Sequence, residues 1–165
     1  MTLTAHAVVG VAAASLFPSH PKAAFAAAFV SHFLIDAIPH WHYSVKSIEI
    51  DHKDPMNTDM VFNKYFPTDL TKIGFDAALG FFTAYLIFHD HLNFPLGLIL
   101  IGTIGGTLPD PLQFVYWKFR HEPFTTLQRF HKWIHADKNL DNRPVWGILA
   151  QAATIPAAIL LVRFI

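Results

Sequence analysis

Apolar and polar residues alternate along this chain in long blocks, not with the short period of a soluble amphipathic helix. Polar segments separate five apolar bands, which run over residues 3–17, 23–38, 73–88, 94–108 and 145–164. A membrane-spanning helix needs about 20 apolar residues, with about 17 at the low end, so the first band is short by this measure. The pattern predicts an all-α integral membrane helical bundle of about five spans.

The connections between the bands predict how the helices pair. Residues 18–21 and 89–93 are short turns, whereas 41–72 and 111–144 are long and polar. We therefore expect a single membrane domain over 1–165 in which two helical hairpins are followed by a C-terminal span. Its parts are a first hairpin (1–40), a cytoplasmic loop (41–72), a second hairpin (73–110), an interfacial segment (111–144) and the last span (145–165).

The two hairpins resemble each other when the chain is compared with itself at an offset of about 70 residues. At this offset, His6-x-x-x-Gly10 aligns with Asp76-x-x-x-Gly80. Pro39 aligns with Pro109 in the Leu-Pro-Asp motif of the second hairpin. Each unit would hold two spans, so the pattern predicts two parallel repeats related by an axis along the membrane normal.

Composition and charge narrow the function classes. Hydrophobic residues make up 53% of the chain and charged residues 15%, and there is no cysteine. The absence of cysteine excludes disulfides and thiolate metal sites. A net charge of zero argues against a nucleic-acid partner.

The distribution of basic residues predicts the orientation. All but two of the 12 lysines and arginines fall on the side of the long loops, the exceptions being Lys22 and Arg163. Cytoplasmic loops carry the excess of Lys and Arg. We therefore expect a cytoplasmic (inner) membrane protein with its N-terminus in the cytoplasm and its C-terminus outside. Segment 124–138 is predicted to be an amphipathic helix at that interface.

Polar residues collect at the predicted cytoplasmic ends of the helices. His32 and Asp36 lie four residues apart near the end of the second helix, so they share one helix face. Ionisable residues within spans are costly and are usually paired or functional. The predicted metal ligands are His6, His32, Asp36, His40, Asp76, Asp110, His131 and His135.

Carboxylate and imidazole ligands without thiolate are typical of zinc, manganese, iron or magnesium sites. We predict a divalent metal, zinc or manganese first and iron as the alternative, and no organic cofactor. A carboxylate that does not bind the metal, Asp36 or Asp110, is the candidate catalytic base. The other histidines are expected to be interfacial, not ligands; they are His20, His42, His52, His89, His91 and His121.

Three motifs resemble those of the bacterial inner-membrane metal-dependent hydrolase family. They are His6-x-x-x-Gly10, Ser31-His32-x-x-x-Asp36-x-x-Pro39 and Gly106-x-Leu108-Pro109-Asp110. The resemblance covers the first four helices and implies a membrane hydrolase with a metal at the helix ends. That family has Leu-Pro-Asp on its second span and Ser-His-x-x-x-Asp on its fourth, whereas the order is exchanged here. Its His-Arg-Gly-x-Thr-His-Ser segment is missing, and His131-x-x-x-His135 is the candidate replacement.

The resulting hypothesis is metal-dependent hydrolysis at the cytoplasmic bilayer surface. A lipid or lipid-linked phosphoester is the expected substrate, because the site would open where headgroups lie. The alternatives are a membrane di-iron oxidase or desaturase-like enzyme, and a metal-binding membrane protein without enzymatic activity. Membrane lipid is the expected partner, and the sequence leaves a homo-oligomer open.

Overall fold

A computed structural model describes residues 1–136 and 140–163, with Arg163 described by its backbone alone. Lys138, at the end of the predicted amphipathic segment, and Phe164, in the last apolar band, lie outside the described residues. Seven α-helices occur in the described part, and the prediction of an all-α fold is confirmed. They are α1 (Leu3–Ala14), α2 (Pro21–Asp36), α3 (Phe66–Ala84), α4 (Leu96–Thr107), α5 (Pro109–Phe119), α6 (Phe124–Ile134) and α7 (Pro144–Arg163).

Two helices are long and apolar enough to cross a membrane. One is α3 with its π-helical continuation, which together cover Phe66–Asp90, and the other covers Pro144–Val162 of α7. The pair α4 and α5, bent by 44°, counts as a third if it forms one broken span. The five predicted spans and the two repeats are not confirmed. Helix α1 has 12 residues, a length of about 18 Å, against a hydrocarbon core of about 30 Å.

The outer faces of the long helices are apolar. On α3, Phe75 is 70% exposed and Phe82 is 60% exposed, and Leu79 lies on the same face. Leu86, in the π-helical continuation, is also exposed. Residues at this spacing form one stripe along a helix. Contiguous apolar surface of this kind marks a membrane or protein contact, which supports membrane association.

Helix α1 lies at the centre and packs against α2, α3, α4 and α7. Its crossing with α4 is close because glycines meet there. A Cβ on Gly106 would lie 3.0 Å from the Gly10 Cα and would collide with the carbonyl oxygen of His6. Small residues at a crossing allow two helix backbones to approach closely, as in membrane helix pairs. The close approach brings His6 next to the end of α4.

The two long polar segments are more ordered than the sequence predicts. In segment 41–72, strands β1 (Ile48–Glu49) and β2 (Asp59–Met60) pair antiparallel, with Ile48 opposite Met60. Met60 packs in an apolar cluster with Tyr116 and Trp117 of α5. Segment 111–144 begins inside α5, which starts at Pro109. Proline is favoured at the first position of a helix, so a new helix can begin here after a bend. The predicted amphipathic helix corresponds to α6.

Candidate metal centre

Asp36, the last residue of α2, is the centre of a buried polar cluster. Its side chain is 2% exposed. Its Oδ2 atom lies 3.0 Å from Nε2 of His131 and 3.2 Å from Nε2 of His32. Its Oδ1 atom lies 3.2 Å from Nε2 of His6. Helices α1, α2 and α6 therefore each bring a histidine to the same carboxylate.

Asp110, in the first turn of α5, completes this group. Its Oδ1 atom is 3.6 Å from Nε2 of His32. One ligand atom from each of His32, Asp36, Asp110 and His131 lies within 4.8 Å of the others. We call these four residues the Asp36 cluster. The side chain of Asp110 is 34% exposed, whereas those of His32 and Asp36 are buried, so Asp110 lies on the accessible side.

The ring of His32 is oriented for metal binding. Its Nδ1 donates to the carbonyl oxygen of Gly106 at 2.9 Å, so its Nε2 carries the lone pair that faces the carboxylates. Within residues 1–136 and 140–163, Nε2 of His32 and both ring nitrogens of His6 have no hydrogen-bond partner, although both rings are fully buried. Buried polar atoms nearly always have partners, and a metal ion held by the Asp36 cluster would satisfy Nε2 of His32. The residues present therefore fit a divalent cation.

His6 is held against His32 by ring stacking. The two ring centroids are 3.8 Å apart and the planes are inclined by 16°. Two stacked imidazolium ions would repel each other, so this arrangement disfavours protonation of both rings at once, and only a neutral ring binds metal. His6 thus lies beside the Asp36 cluster, at the Oδ1 edge of the shared carboxylate.

The structure does not bring Asp76 into the cluster. Its carboxylate accepts from the backbone N–H of Leu3 at 2.7 Å, and from the N–H and hydroxyl of Thr4 at 3.1 and 2.7 Å. These are the free N–H groups of the first turn of α1, where a negative charge is stabilising. Asp76 therefore fixes the start of α1 and with it the position of His6.

A second group of histidines follows α2. One ligand atom from each of His40, His42 and His135 lies within 4.8 Å of the others. Burial lowers the pKa of His40 to about 3 and that of His135 to about 4, so both rings are neutral at pH 7. His42 was predicted to be an interfacial residue and not a ligand. Its position two residues after His40 is the feature of the sequence that could have indicated a place in the same group. Alternate residues of an extended segment point to the same side.

The remaining candidate ligands are thus divided between two neighbouring groups. His40 and His135 belong to the second group, and Nε2 of His40 lies 3.8 Å from Oδ1 of Asp36 in the first. Every predicted ligand except Asp76 thus belongs to one of these two groups or, in the case of His6, contacts Asp36 of the first. Such a set can bind metal, orient water and accept a proton.

A comparison of the chain with protein-family models, with curated proteins and with solved structures finds no match.

Proposed function

We propose that the protein is a metal-dependent hydrolase that acts at the membrane surface on a lipid or lipid-linked phosphoester. The observation that carries the proposal is the Asp36 cluster. The buried Nε2 atoms of His6 and His32 each lie 3.2 Å from the carboxylate of Asp36 without a hydrogen bond to any residue that the structure describes. A second carboxylate, Asp110, is partly exposed beside them. Structural hydrogen bonding alone would not leave Nε2 of His32 and both ring nitrogens of His6 without a hydrogen bond to any described residue.

His32, Asp36 and His131 would hold the metal in this proposal. When bound, a divalent cation supplies positive charge that polarises a phosphoryl oxygen and stabilises the charge that develops there. The donor set of imidazole and carboxylate suits zinc or manganese, and also iron. His6 contacts the same carboxylate and keeps it oriented.

Asp110 is the better placed of the two carboxylates to act as general base. It is reachable by water, whereas Asp36 is enclosed by histidines. In the proposed step, a water oxygen forms a bond to phosphorus as its proton passes to Asp110. The bond from phosphorus to the leaving alkoxide then breaks, and Asp110 returns the proton to the alkoxide.

Helix α6 supplies the argument for a lipid substrate. His131 of α6 is buried against Asp36, whereas Phe130 is 41% exposed and Trp133 is 78% exposed. Aromatic side chains are favoured at the level of lipid headgroups. We propose that α6 lies at the cytoplasmic surface of the inner membrane, with the other helices arranged as five membrane segments in two hairpin repeats. The metal would then face the headgroup layer.

Metal content and lipid hydrolysis test the proposal together. We expect detergent-purified protein to hold zinc or manganese by elemental mass spectrometry and to release the headgroup of a fluorescent phospholipid in mixed micelles. Asp36→Asn should lose both properties. Asp90→Asn, at an exposed aspartate beyond α3, is the matched control and should keep both.

Three results would count against this function. If wild-type protein contains no metal even after metal is added back, the proposal of a metal centre would be overturned. Iron with an optical absorption band would favour an oxidase instead. Stoichiometric metal that is retained in Asp36→Asn would show that the metal binds elsewhere.

A further inference from the structure

We propose that His40, His42 and His135 form a second metal site, joined to the Asp36 cluster through the carboxylate of Asp36. This inference rests on the proposed function, because the Asp36 cluster supplies the first metal. It adds His42 as a ligand and Asp141 as the residue that positions it. The expected occupant is a divalent cation of the zinc and manganese class.

The three rings are oriented in the same way. Nδ1 of His40 lies 2.7 Å from the carbonyl oxygen of Ile38, and Nδ1 of His135 lies 3.2 Å from that of Ala136. Nδ1 of His42 lies 3.2 Å from Oδ1 of Asp141. Each of these oxygens can only accept, so each Nδ1 carries the ring proton. The remaining nitrogen, Nε2, of all three neutral rings is therefore an electron-pair donor.

Two of those lone pairs face each other. Nε2 of His40 and Nε2 of His42 are 2.9 Å apart, a distance at which two acceptors repel unless a cation or a proton lies with them. Oδ1 of Asp36 lies 3.8 Å from Nε2 of His40 and adds negative charge on the same side. A divalent cation bound by these nitrogens would remove the repulsion between the two lone pairs.

Backbone hydrogen bonds hold the two segments that carry these rings together. The N–H of Ala136 donates to the carbonyl oxygen of Asp36 at 2.9 Å, and the N–H of Leu140 donates to that of His40 at 2.8 Å. Asp141 accepts from the backbone N–H of His42 at 2.9 Å in addition to its contact with the ring. A carboxylate behind a histidine is the usual support for a metal-binding imidazole.

Asp36 faces both groups with different oxygens. Its Oδ2 atom contacts His32 and His131, and its Oδ1 atom lies 3.8 Å from Nε2 of His40. A carboxylate with one oxygen towards each group can bridge two cations. Two bridged cations can stabilise both the attacking and the leaving oxygen of a phosphoester, which fits the proposed reaction.

Metal stoichiometry separates the two sites. We expect two equivalents of zinc or manganese in wild type, one in His42→Ala and two in His52→Ala, the matched control at an exposed loop histidine. Asp141→Asn should weaken only the second equivalent, roughly 10- to 100-fold, because it removes support for a ligand and not the ligand itself. In manganese-loaded protein, the electron paramagnetic resonance spectrum should change from that of a coupled pair to that of an isolated ion in His42→Ala.

The outcomes distinguish failure of the inference from failure of the proposed function. One equivalent in wild type would overturn the second site and leave the first. Two equivalents in both wild type and His42→Ala would also overturn it, because His42 would not be a ligand. The absence of metal from wild type would overturn both. If His42→Ala does not fold, Asp141→Asn decides, and an unchanged affinity for the second equivalent would contradict the inference.

Discussion

Replacing Gly106 with alanine tests how the packing of two helices positions the proposed metal centre. Among the described residues, the three atoms nearest to the added Cβ would all be backbone atoms, namely the carbonyl group of His6 and the Cα of Gly10. Backbone atoms cannot move out of the way as a flexible side chain can. Overpacking of this kind costs about 1–3 kcal/mol. The gain in helix propensity from Gly to Ala recovers up to about 1 kcal/mol of that cost.

Gly74→Ala is the matched control, because a Cβ there would have no neighbouring atom of the described residues within 4 Å. It lies within α3 and should be neutral or stabilising by up to about 1 kcal/mol. For a chain of this size, 1 kcal/mol corresponds to roughly 2–4 °C in Tm. We therefore expect Gly106→Ala to lower the Tm of detergent-purified protein by several degrees and Gly74→Ala to leave it equal or higher.

The same substitution should also reduce metal binding. The carbonyl oxygen of Gly106 accepts from Nδ1 of His32, so separation of α1 from α4 displaces both His6 and His32. Metal affinity measured by competition with a chelator should fall at least about 10-fold, as when support for a ligand is lost. Equal Tm values and equal affinities in Gly106→Ala and wild type would refute the argument that this crossing positions the site.

Two further predictions concern acid and lipid. Because burial lowers the pKa of His40 to about 3 and that of His135 to about 4, the unfolded chain binds more protons than the folded one between about pH 6.5 and pH 4. The free energy of unfolding of metal-free protein should therefore fall as the pH falls through that range, and a flat profile in denaturant titrations would contradict it. Trp133→Ser should lower the rate of phospholipid hydrolysis in vesicles but leave metal content unchanged, whereas an unaltered vesicle rate would argue against lipid contact by α6.

Several features of the site could be predicted from the sequence, because they depend on local spacing. His32 and Asp36 share a face since they are four residues apart on one helix, and the structure places them 3.2 Å apart. The absence of cysteine restricted the ligands to imidazole and carboxylate before any fold was known. The apolar bands predicted helices, and the described residues are largely helical.

Other features depend on contacts between distant parts of the chain. Asp76 precedes Gly80 by four residues, just as His6 precedes Gly10. The carboxylate of Asp76 nevertheless caps α1 and does not join the cluster, because α3 packs against the start of α1. The sequence predicted that the second hairpin ends at residue 110, but a new helix, α5, begins at Pro109 after a 44° bend. That bend leaves Asp110 at the start of a helix and within reach of His32.

The sequence by itself determined which residue types could bind metal and which of them share a helix face, because helical periodicity is a local property. Only the tertiary structure decided that His131 reaches Asp36 across 95 residues of chain and that His42 joins His40. Those distances depend on how closely α1 crosses α4 and on the backbone hydrogen bonds that hold the segment after α6 against the end of α2. Neither the crossing nor those hydrogen bonds is specified by local periodicity, because each depends on how separate helices fit together.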